Sequence, residues 1–168
     1  MVSIELLRRF PFFSGFEPDH LKALAMLTDE VAVDEGATLF RAGQPADRLY
    51  LLMEGRVELH YIAVDPLESQ PRRAYFIGEF NAGEPFGITS LLEPYAYMGD
   101  LRVASRGRVL KMDAPGLRAL CELDPRFAAI MMRKAAKASM VRLIDARGQM
   151  AAARASMLGS SPASSARS

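Results

Sequence analysis

LYLLMEGRVELHYIA, residues 49–63, carries the reading that decides the fold class. Leu49 to Met53 is a short apolar run, and Glu54-Gly55 after it reads as a turn. Val57, Leu59, Tyr61 and Ala63 then alternate with Arg56, Glu58, His60 and Ile62, which is the period of a half-buried strand.

The same period holds on either side, from Asp29 to about Ala114. Upstream, Val31 and Val33 alternate with polar residues, Asp34-Glu35-Gly36 turns, and Ala37 to Phe40 is a short strand closed by Ala42-Gly43-Gln44-Pro45. Downstream come a polar loop from Asp65 to Arg73, a strand from Ala74 to Phe80, a turn at Asn81-Ala82-Gly83, and a short helical piece from Gly87 to Pro94. Tyr97 to Ser105 and Arg108 to Met112 read as a last hairpin around Arg106-Gly107. Roughly eight short strands with closely spaced turns predict a β-roll or jelly roll and exclude a βαβ sheet.

Helical patterns flank the roll. Residues 1–28 form a lead-in: a short helix with Leu6, Leu7 and Phe10 on one face, a stop at Pro11, an aromatic turn at Phe12-Phe13-Ser14-Gly15, and a second helix from His20 to Leu27. The roll with its short cassette helix takes residues 29–114, and helices take 115–158. Of these, Pro115 to Leu123 is short, and Arg126 to about Leu158 is one long helix. On it Ala129, Met132, Ala136, Ser139, Leu143, Ala146, Met150, Ala153 and Met157 are spaced alternately by three and four, a heptad seam. Gly159 to Ser168 has the composition of a disordered tail.

Composition excludes several function classes. With 21 Lys+Arg against 20 Asp+Glu, a net charge of +1 does not describe a globally basic nucleic-acid binder. A single cysteine, Cys121, allows neither an internal disulfide nor a multi-cysteine metal site, and His20 and His60 are too few for a histidine-rich one. No apolar run is long enough to span a membrane, and the N-terminus lacks a signal-peptide core, so a cytoplasmic location is expected. Neither a nucleophile elbow nor a phosphate-binding Walker loop is present, so no catalytic residue and no metal ligand is assigned.

Several motifs occur in a specific order. Leu6, Phe10-Pro11-Phe12-Phe13-Ser14-Gly15-Phe16 precede a helix; Gly36, then Gly43 with Asp47, then Leu51 to Gly55 follow; Gly83-Glu84-Pro85-Phe86-Gly87 leads into the short helical piece. Over about residues 4–145 the chain resembles the cyclic-nucleotide-binding domain family, the effector domains of catabolite activators, kinase regulatory subunits and gated channels. The resemblance implies an eight-stranded roll followed by a dimerisation helix. It also implies a cassette in which a short helix faces a cyclic phosphate, an acid after Phe-Gly accepts from the ribose hydroxyl, and an arginine about ten residues on pairs with the phosphate.

The chain departs from that pattern at both recognition points. Ile88 stands at the acid position, and the arginine position falls at Ala96 or Tyr97; Arg102 is placed in the following strand. Losing two charge-assisted bonds of ~1.5–3 kcal/mol each removes about two to four decades of affinity. The degenerate pocket therefore comprises Phe86, Gly87, Ile88, Thr89, Ser90, Ala96 and Tyr97, with cyclic-nucleotide binding weakened or lost and no cofactor assigned. Ile88 with Leu91 and Leu92 closes the pocket by apolar packing or retunes it; Tyr95 and Tyr97 cap a barrel edge or stack on a ring. His60 is expected to be a solvated strand residue and Cys121 a small buried hydrophobe.

The seam implies a homodimer through Met132, Ala136, Ser139, Leu143, Ala146 and Met150, with folding back on the roll as the alternative. Arg133, Lys134, Lys137, Arg142, Arg147 and Arg154 decorate that helix as a solvated face or as a weak nucleic-acid or membrane-surface site. The short polar segment after it has no room for a helix-turn-helix, so sequence-specific DNA binding is not expected. These features predict a stand-alone regulatory module acting on an unidentified protein partner. The alternative is a sensor in which a cyclic nucleotide or other small ligand repositions the long helix.

Overall fold

A computed structural model describes residues 1–63 and 73–159. The expected loop at 65–72 and the tail beyond Gly159 lie outside the described residues. The lead-in is helix α1 (Ile4–Arg8), a 3₁₀ turn (Pro11–Phe13) and helix α2 (Pro18–Met26). Strands β1 (Thr28–Val33), β2 (Thr38–Phe40), β3 (Arg48–Ala63), β4 (Arg73–Phe80) and β5 (Pro85–Phe86) follow. A 3₁₀ turn (Ile88–Leu91), strand β6 (Asp100–Asp113) and helices α3 (Ala114–Leu123) and α4 (Pro125–Gly159) come next.

The sheet is antiparallel in the order β1-β6-β3-β4, with β2 on β6 and β5 on β3. Among the described residues it has six strands rather than the expected eight, because two expected turns lie inside strands. Glu54-Gly55 is a bend in β3 and Arg106-Gly107 a bend in β6, side by side where their pairing register shifts. The segment from Tyr97 to Gly99 precedes β6 rather than belonging to it.

The apolar run Leu49–Leu52 is continuous because both faces of β3 are covered. Leu49 and Leu51 join a core with Leu7, Phe13, Leu24, Leu117 and Phe127 from the helices. Tyr50 and Leu52 point the other way, into the roll, with Phe40, Val57, Phe86, Leu101 and Val109. The second core closes the roll and the first fastens the helices to its outside, each through the period-two alternation of one strand. At the strand–helix junction Asp113 caps α3 by accepting from the Gly116 N–H (2.9 Å) and also accepts from Arg48 Nη1 (2.7 Å).

Helix α4 lies along the roll. Phe127, Met131 and Ala135 are buried, Lys134 donates to the Pro11 carbonyl, and Arg142 and Gln149 donate to the Glu79 and Ile77 carbonyls of β4. Lys134 and Arg142 are therefore not part of a freely solvated basic face.

Candidate ligand cassette and the exposed helix seam

The cassette segment starts on β5, where Phe86 pairs with Tyr50 of β3 and is 1% exposed. Gly87 then takes φ +76°, and a Cβ there would stand 3.1 Å from the Arg48 carbonyl oxygen and 3.3 Å from the Tyr97 ring. Positive φ and close approach both require glycine. The helical piece is a single 3₁₀ turn, Ile88–Leu91, followed by a cis Glu93–Pro94 bond and Tyr95 at φ 54°. Residues 95–97 then lie against the loop before β3: Tyr97 N–H donates to the Gln44 carbonyl (3.0 Å), Gly43 N–H to the Tyr97 carbonyl (2.8 Å), and Ala96 bridges Pro45.

Tyr97, at one of the two candidate arginine positions, neither caps an edge nor offers a free face. Its ring is 4% exposed and stacked on Phe40, with centroids 3.8 Å apart and planes at 8°. Its hydroxyl donates to the Arg48 carbonyl (2.8 Å) and accepts from the Arg48 N–H (3.2 Å). Burial and then the neighbouring Tyr50 push its phenol well above the ordinary value. Tyr50 stacks on Phe86 at 5.1 Å, and Phe80 packs on Phe86 at 5.3 Å. Five aromatic side chains thus fill the interior behind the cassette.

The other predicted residues fall around this plug. Ile88 is half-buried and packs against the helix-side core, so its apolar packing faces away from the roll interior. Leu91 joins that same core, whereas Leu92 is exposed. Thr89 is half-buried, and the Ser90 hydroxyl is fully buried. Arg102 is a strand residue, paired with Thr38 and Glu58. His60 is not solvated: it sits between Glu58 (3.3 Å) and the edge of Phe76. Cys121 is half-buried, and burial raises its thiol pKa. Among the described residues no cluster of three or more metal-ligating side chains occurs.

Sequence reading misses two features. Phe40, Tyr50 and Phe80 share the plug with Tyr97, and the only signal is that each lies on an inward strand position. Arg118 of α3 holds the cassette turn: Nη1 donates to the Ser90 carbonyl (2.6 Å), and its guanidinium lies 4.2 Å over the Tyr95 ring.

The seam residues lie on a different face of α4 from the one that docks on the roll. Met132 is half-buried, Ala136, Ser139 and Ala146 are exposed, and Leu143 and Met150 are 49% and 55% exposed. The helix lies against the roll through one face; Met132 packs at the edge of the helix-side core, and the heptad face from Ala136 onward is uncovered.

A six-stranded antiparallel roll with an outer helical layer and a long C-terminal helix defines the fold class of the chain. The cyclic nucleotide-binding domain family matches residues 30–124, and the chain belongs to that family. A crystal structure of a Geobacter metallireducens GS-15 protein described as cyclic nucleotide-binding is similar, with TM-score 0.74 and 31% identity over 85% of this chain and 99% of that one. The CRP-like cAMP-activated global transcriptional regulator of Mycobacterium tuberculosis is 27% identical over 133 residues, 79% of this chain and 57% of the regulator. A Rhodopseudomonas palustris protein described as a potassium channel is 29% identical over 128 residues, 76% of this chain and 29% of that protein. The chain spans little more than half of the regulator's length and under a third of the channel protein's. No described helix is long and apolar enough to cross a membrane.

Proposed function

We propose that this chain is a regulatory, non-enzymatic module of its family, working in the cytoplasm, in which cyclic-nucleotide binding is weakened or lost. Its output passes through protein contacts of α4. The observation that carries this reading is Tyr97, a buried ring stacked on Phe40 at one of the two positions, Ala96 and Tyr97, where the family resemblance calls for a phosphate-pairing arginine. With Ile88 at the acid position, neither the phosphate nor the ribose meets a charged partner. The uncovered seam supports a homodimer, or a partner helix, along Met132, Ala136, Ser139, Leu143, Ala146 and Met150.

Calorimetric titration of the full chain with cyclic AMP and cyclic GMP up to millimolar tests this. No saturable heat is expected, and micromolar one-to-one binding would overturn the reading in favour of a cyclic-nucleotide sensor.

A further inference from the structure

Between α4 and the roll, outside residues 86–97, lies a cleft of about 190 Å³. One wall is α4; the others are the 3₁₀ turn of the lead-in and the turn before β5. Its surface is apolar at Pro11, Phe12, Pro85 and Val141, and cationic at Lys134 and Lys137.

The charges are unbalanced. Lys134 Nζ donates to neutral oxygens, the Pro11 carbonyl (3.0 Å) and Ser14 Oγ (2.9 Å). Lys137, one turn further on, is exposed, and neither lysine has a carboxylate at ion-pair distance among the described residues. The carboxylate in the lining, Glu84, is already held by Arg142 Nη2 (3.0 Å) and the Asn81 N–H (2.8 Å). Burial and then the charge of Lys137 hold the Lys134 ammonium below its ordinary pKa, and an anion placed between the two ammonium groups would offset their repulsion. The volume sets the size of the apolar part: a cavity of about 150 Å³ accepts a benzene ring.

We propose that this cleft binds a small apolar carboxylate of about the size of an arylacetic acid. Its ring lies on Phe12, Pro85 and Val141, and its carboxylate between Lys134 and Lys137. Because the walls belong both to α4 and to the roll, an occupant ties the helix to the roll. The site does not depend on the cassette and stands or falls separately from the reading of Tyr97.

The test is titration of the full chain with phenylacetate, with 2-phenylethanol as the uncharged analogue and acetate as the anion without a ring. Saturable phenylacetate binding at least about tenfold tighter than either control is expected, weakened about tenfold or more in Lys137→Glu. Val141→Gln, a second variant at the apolar end, is expected to weaken phenylacetate without changing acetate. Equal binding of 2-phenylethanol, undiminished binding in both cleft variants, or no binding of phenylacetate by about 10 mM would each overturn the proposal.

Discussion

Gly55 and Gly107 lie back to back across the β3–β6 pair: a Cβ on Gly55 would stand 2.7 Å from the Gly107 Cα and 2.8 Å from the Arg106 carbonyl oxygen. The reverse substitution fares no better, because a Cβ on Gly107 would overlap the Glu54 carbonyl oxygen. The obstacles are backbone on both sides, so no side-chain rotation relieves them. Gly107→Ala is expected to lower stability by more than about 2 kcal/mol, seen as a fall in the urea midpoint. Gly148 in α4 has open space around it, and Gly148→Ala is expected to raise stability by up to about 1 kcal/mol. An unchanged midpoint for Gly107→Ala would mean that the two strands do not bend together.

Tyr97→Phe keeps the stack on Phe40 and deletes both hydroxyl bonds to Arg48, for an expected cost of about 1–3 kcal/mol. The sign of the pH effect follows from the direction of the shift. Tyr97 holds its proton more tightly folded than unfolded, so its contribution is complete below the ordinary phenol range and is lost as pH climbs from about 10 upward. Alkaline unfolding should therefore be less steep in Tyr97→Phe. Ultraviolet titration should show Tyr97 ionising only with loss of the fold, and Tyr50 displaced in the same direction.

At the start of α4 the sign is reversed. The Phe127 N–H and then His20 hold the Asp124 carboxyl below its ordinary value. A depressed carboxylate stabilises above its unfolded pKa, and that contribution is lost as pH falls through about 4 and below. Between pH 6 and 3 the protein should lose more stability than Asp124→Asn does. Parallel acid-unfolding curves would remove Asp124 from the account.

Deleting α4 is a poor test of dimerisation, because Phe127, Met131 and Ala135 complete the helix-side core. Leu143→Glu is cleaner, since Leu143 is half exposed on the seam. Sedimentation at tens of micromolar is expected to give a dimer for the unaltered chain and a monomer for Leu143→Glu, with unchanged circular dichroism. A monomeric unaltered chain would refute the seam assignment.

The roll, its order of elements and the long helix were legible because period-two and heptad patterns are local. Residues 54–55 and 106–107 misled because a glycine that permits close approach of two strands looks in sequence like one that permits a turn. Ile88 and Tyr97 were found as departures from a pattern. The destination of the Tyr97 ring was not, since it depends on Phe40 and Arg48, which are 57 and 49 positions away in the chain. The docked side of α4 was hidden for a similar reason: Lys134, Arg142 and Gln149 look like solvated residues until their acceptors on distant elements are known.

Arg142 and Gln149 donate their hydrogen bonds to β4 at the carbonyl oxygens of residues 79 and 77, and the Arg142 guanidinium also lies 4.3 Å over the Phe80 ring. The grip is therefore indifferent to which amino acids occupy positions 77 and 79, and those positions are free to diverge without releasing the helix. What it does sense is register. A slip of β4 by one residue along β3 would turn those carbonyls away and exchange the faces of the strand. Helix and sheet are coupled like a ratchet and its pawl, able to settle in steps of whole residues but not to drift between them.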